Sequence, residues 1–230
     1  MDSSTRRLGG WASILTGITY AIFATVGPVL PPEQQLGAST EAFLLSLAED
    51  STGFRVALWV GFVGAIFALA AVPAITGMVR QSNEGLARWA ATLATGGFLI
   101  IALDLRRTLA LLPEEASAFG RVDEDFREVI LGDNLHLPLD PERWVSFGTV
   151  GFWLLVVGIL ALRDRRLPPP LGYLAVATGV SHWLIVLGDE LELWMFSNLA
   201  FGGRIVLGAV FFIWVGRFVF QSPAPASYAD

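Results

Sequence analysis

The chain of 230 residues contains no cysteine, which excludes disulfides, thiolate metal sites and dithiol redox chemistry. It contains no lysine either: all 15 basic residues are arginine. A Schiff base and a lysine nucleophile are therefore excluded. Histidine is confined to His136 and His182, too few axial ligands for a multi-haem cytochrome. Charge is scarce, at 16% of residues, against roughly 25% in an ordinary soluble domain. Apolar residues take its place, with 54% hydrophobic and a mean hydropathy of +0.60. A soluble globule of this size cannot hide that much apolar surface. Composition thus points to one integral membrane domain, with most of the chain in lipid. The net charge of -6 leaves no basic footprint, so nucleic acid is not an expected partner.

Six apolar runs are long enough to cross a hydrocarbon core of roughly 30 Å at 1.5 Å per residue. They cover residues 9–30, 54–79, 87–112, 144–162, 171–187 and 199–219. The first is too long for a cleavable signal and lacks a small-x-small cleavage site. Pro28 and Pro73 fall inside the first and second runs, where each is expected to kink its helix. Glycines such as Gly64, Gly151 and Gly208 provide close helix contacts.

Arginines mark alternate ends of the runs: Arg6 and Arg7, Arg80 and Arg88, Arg163, Arg165 and Arg166, and Arg217. These ends are expected to face the cytoplasm, with both termini inside. The opposite loops are acidic, with Glu33, Glu41 and Asp50 in the first, Glu114 through Asp133 in the second, and Glu190 and Glu192 in the third. Residues 40–50, TEAFLLSLAED, read as a short amphipathic helix behind a Ser39/Thr40 cap. Val122, Phe126, Val129 and Ile130 repeat at helical spacing in the second acidic loop and predict another. The fold expected is therefore all-α. It is a bundle of six transmembrane helices with two short amphipathic helices in the outer loops. It forms one domain over residues 1–221, with a disordered cytoplasmic tail at 222–230.

Four pieces of the chain carry a resemblance. An amphipathic segment ends in Phe54-Arg55 before the second run. Arg88 opens the third. Residues 162–179, LRDRRLPPPLGYLAVATG, end the fourth run in a short basic loop with proline and then glycine. Residues 211–218, FFIWVGRF, place a tryptophan near the inner end of the last. In this layout the chain resembles the domain of unknown function 4386 family, bacterial six-helix membrane proteins. The chain departs from the pattern in a longer, more acidic second outer loop and in Arg106-Arg107. The resemblance implies a fold; the location expected is the inner membrane. The resemblance implies no reaction and carries over no catalytic residue.

Charge inside lipid costs from about 3 kcal/mol upward unless paired or hydrated, so intramembrane polar residues are the candidates for function. The third run holds Asp104, Arg106 and Arg107; the fifth holds His182 with Asp189 two turns on; the sixth holds Arg204. All but His182 lie toward the acidic end. They predict an outward-facing polar vestibule whose arginines suit a carboxylate or phosphate head group, with His182 at its base. The competing expectation is that Asp104–Arg107 and Asp189–Arg204 are ion pairs that fix helix register. His136 reads as exposed. No catalytic motif, metal-ligand spacing or cofactor signature is present. Asp123, Asp125 and Glu128 lack the glycine and spacing of a calcium loop.

Three functions compete. The first is a non-enzymatic protein that binds a lipid or small amphiphile, or serves as an accessory subunit of a membrane complex. The second is a transporter or channel component, against which the absence of clear repeats and broken helices counts. The third is an intramembrane enzyme acting on an amphiphile through His182. The partners expected are membrane lipids, a small amphiphilic ligand, and a homo-oligomer or membrane-complex partner.

Overall fold

A computed structural model of the chain describes residues 3–35, 38–123, 127, 138–165 and 167–221. Seven α-helices occur among them: α1 (Ser3–Val26), α2 (Thr40–Glu49), α3 (Thr52–Val79), α4 (Glu84–Gly120), α5 (Thr149–Asp164), α6 (Pro169–Glu190) and α7 (Trp194–Gln221). All but α2 are long and apolar enough to cross a membrane, α5 together with the π turn Trp144–Gly148 that opens it. The six long helices form a ring in which each packs on the next, and α7 closes back on α1.

Small residues face the ring's interior and large apolar ones face outward. Ala65, Ala68, Ala71, Ala90 and Ala94 are buried, whereas Ile18, Ile66, Leu103, Ile159 and Val206 are exposed. Such a surface is unstable in water and matched to lipid, where close backbone approach replaces the hydrophobic effect as the glue. The α5–α6 seam shows the principle. A Cβ on Gly158 would stand 2.8 Å from the Gly172 carbonyl oxygen, and one on Gly179 would stand 2.9 Å from that of Gly151.

The core fills the half of the ring nearest the arginine-bearing ends, around Ile75, Phe98, Trp153, Leu154, Phe211 and Phe212. A polar link crosses it: Trp153 Nε1 donates to Thr76 Oγ1 at 2.9 Å, joining α5 to α3. Both groups are buried, so each satisfies the other where water cannot.

Two local expectations are refined. Pro28 does not kink a helix. α1 ends at Val26, and Pro28 sits in a 3-10 turn, Gly27–Val29, because its ring displaces the carbonyl four residues back and it has no N–H to donate. Pro73 does lie inside α3. The third span continues eight residues past its expected end at 112, through Pro113 to Gly120. Ala116 and Phe119 on this extension, with Leu112 just before it, bury against Leu44 and Leu47 of α2. Ser39 caps α2, its hydroxyl accepting from Ala42 N at 3.2 Å. Most of the second acidic loop, His136, Asp125 and Glu128 among it, and the tail at 222–230 lie outside the described residues.

Candidate functional site

The other half of the ring, toward the acidic ends, is not filled. A cavity of about 250 Å³ lies between α1, α3, α4, α7 and the π turn. Among the described residues its walls carry four charged side chains: Asp104, Asp140, Arg143 and Arg204.

Three of the four are satisfied within the protein. Asp104 Oδ1 accepts from Leu139 N at 3.0 Å, which ties the segment before the π turn to α4. Asp140 Oδ2 accepts from both the backbone N and the hydroxyl of Ser146, each at 2.6 Å. This caps the first turn of the helix that follows. Arg143 sits at φ 60, in the left-handed region. From there its Nη1 reaches Asp189 Oδ2 on α6 at 3.1 Å. Ser197 donates to the other oxygen of Asp189. Arg143 O accepts from Phe147 N and Gly148 N, the latter five residues on. The turn is thereby widened, and Phe147 is presented to the cavity.

The fourth charge, Arg204, is different. It is 7% exposed, and among the described residues no carboxylate lies within ion-pair distance of it. Its Nε has no hydrogen-bond partner. Three aromatic faces surround its guanidinium carbon: Phe147 and Phe201 at 4.7 Å and Tyr20 at 5.4 Å. A π face stabilises a cation without neutralising it or accepting its in-plane N–H bonds. The cage therefore holds the guanidinium in place and leaves its charge and donors for something else. An anion in the cavity, held by the fork of donors, is what this arrangement can bind.

The residues expected to form the vestibule are thus divided. Asp104 and Arg204 line the cavity. Asp189 stands behind it as the partner of Arg143, which corrects the expected Asp189–Arg204 pair: Arg143 comes from outside the apolar run and reaches the carboxylate first. Arg106 and Arg107 do not line the cavity and are exposed. His182 does not line it either. Its Nδ1 donates to Thr178 O at 2.8 Å, one turn back on α6. Its ring stands behind Phe147, 6.0 Å between centroids. Sequence reasoning missed the cage residues Tyr20, Phe147 and Phe201 and the cap Asp140–Ser146. With 16 phenylalanines in the chain, no single one stands out. Among the described residues no group of three or more His, Asp or Glu is placed to hold a metal ion.

The six lipid-length helices, with large apolar side chains turned outward, define a multi-pass α-helical membrane protein. Its family follows from the sequence: residues 8–220 match the model of the Domain of unknown function (DUF4386) family, and the chain belongs to it. No curated protein and no solved structure matches the chain.

Proposed function

We propose that this protein is a non-enzymatic membrane protein that binds an anionic amphiphile, its carboxylate or phosphate head group held by Arg204. The observation that carries this reading is the buried guanidinium, which has no counter-charge among the described residues and is caged by three rings at the wall of a cavity. A cation at this depth costs about 3 kcal/mol or more if left alone; the three rings offset that cost but accept none of its in-plane N–H donors, which an anionic head group can take up. The solid core beneath the cavity favours binding over passage, since Phe98, Trp153, Phe211 and Phe212 occupy the centre of the ring there. The separation of His182 from the cavity by Phe147 favours binding over catalysis.

In this proposal the arginine-bearing ends face the cytoplasm and the cavity opens toward the outer leaflet of the inner membrane. The test is native mass spectrometry of protein gently extracted from its own membrane. The expected result is a defined adduct with an acidic head group on wild type, absent from Arg204→Met. Adducts of equal abundance on both proteins would contradict the proposal.

A further inference from the structure

A second cavity, of about 610 Å³, lies beside the first, between the end of α1, α2, the start of α3 and the start of α7. It exists because α1 stops at Val26, ahead of Pro28, and leaves the gap between α3 and α7 unfilled at the acidic end. The chain after Pro28 and α2 close over it. Gln34 Nε2 fastens that cover by donating to Ser46 Oγ at 3.1 Å and to Asp50 O at 2.8 Å. Among the described residues no charged side chain lines this cavity; most of its wall is apolar, including Phe43, Phe54, Ala57 and Val206.

The two cavities share Phe23, Phe201 and Ile205. Phe23 and Phe201 meet edge to face at the boundary, 6.3 Å between centroids, and with Ile205 they form the wall common to both cavities. Aromatic side chains of two different helices can part by changing rotamer, without moving backbone. Phe201 also belongs to the cage of Arg204. The ring that holds the cation on one side thus bounds the apolar cavity on the other.

One chamber is polar and holds Arg204, a cation with no carboxylate within ion-pair distance among the described residues, and the next is lined by no charged side chain among them. That is the division of a head group from a tail. We infer that the ligand is a single-chain anionic amphiphile: its head sits on Arg204 and its one acyl chain passes between Phe23 and Phe201 into the second cavity. The inference rests on the proposed anion site and adds the tail class and its path. Arg204 is ten residues into α7, about 15 Å along the helix, so the head lies deep and the tail runs back toward the acidic end. A path between one pair of rings suits one chain rather than two. The second cavity falls in the range of about 300–1,000 Å³ usual for small-molecule sites.

The test uses full-length protein in amphipol. The probes are butyrate, octanoate, dodecanoate, dodecyl phosphate and inorganic phosphate, read by the ligand concentration that half-saturates the shift in unfolding temperature. Gly202 and Gly27 line the second cavity, and a Cβ on either meets open space. Gly202→Phe and Gly27→Phe each place a ring there. Gly96→Phe is the control, since Gly96 is equally open and lines neither cavity. Dodecanoate or dodecyl phosphate should bind wild type at least about tenfold more tightly than butyrate or inorganic phosphate, a difference that burial of two methylenes suffices to give. The preferred head group identifies the source. Gly202→Phe or Gly27→Phe should erase the chain-length advantage, Gly96→Phe should keep it, and Arg204→Met should abolish binding of every probe. Chain-length independence, or full retention of the advantage in both ring variants, with binding still lost in Arg204→Met, overturns the tail path and leaves the anion site standing. Equal binding by wild type and Arg204→Met, or no binding at all, overturns both.

Discussion

Replacing Arg204 with methionine separates a ligand-directed cation from a structural one. Methionine keeps an unbranched chain of similar reach and removes the charge. In the empty protein the guanidinium is buried and has no carboxylate partner among the described residues. An uncompensated arginine at such a depth costs about 2.5–3.5 kcal/mol on insertion scales. Three rings at 4.7–5.4 Å return roughly 1 kcal/mol apiece. The two terms nearly cancel. Ligand-free Arg204→Met should then lie within about 1 kcal/mol of wild type, or about 2–4 °C in Tm for a chain of this length. With an anionic amphiphile at a hundred times its Kd, wild type should gain about 2.7 kcal/mol and the variant nothing. Tryptophan-monitored thermal unfolding, with and without ligand, reads both numbers. A ligand-free loss of about 3–5 kcal/mol in the variant is what breaking a buried ion pair costs. That result would mean Arg204 has a counter-charge within the protein, and it would refute the reasoning.

Three other predictions follow from the packing and the topology. Gly158→Leu drives a side chain into the Gly172 carbonyl and Val176 and should destabilise the protein by about 1–3 kcal/mol, whereas Gly96→Leu, facing open space, should be neutral or stabilising; paired thermal melts decide. Thr76→Val leaves the Trp153 indole N–H without its acceptor in the core and should cost about 1–3 kcal/mol, while Thr76→Ser should lower Tm far less. Because the chain has no native cysteine, single substitutions report orientation cleanly: an impermeant maleimide on intact cells should label Ser39→Cys and spare Gln81→Cys. The reverse pattern would invert the proposed topology, a real contest here, since Arg55, Arg106, Arg107, Arg121, Arg127 and Arg143 lie on the acidic side.

The six long helices were legible because lipid imposes one rule on all of them: about 20 apolar residues, with polar ends. The rule fails where a helix leaves lipid. The third apolar run stops before Glu114 and Glu115, yet α4 continues to Gly120, because Leu112, Ala116 and Phe119 find Leu44 and Leu47. That partnership is tertiary and leaves no mark in a local window. The site divides in the same way. Arg204 and Asp104 stood out as charges within apolar runs, and both reach the cavity. Their partners did not stand out. Asp189 pairs with Arg143, 46 positions upstream and outside any span, in a left-handed conformation that the sequence does not announce. Arg106 and Arg107 matched the expected chemistry but not the expected direction, since the ring, and not the helix alone, decides which face is inward.

The most direct test of the central claim is a high-resolution structure of the protein in a disc of its own native lipids. The account predicts an anionic head in contact with the Arg204 guanidinium and a single chain running between Phe23 and Phe201. Water alone in the cavity, or a carboxylate of the chain itself closing on Arg204, would contradict it.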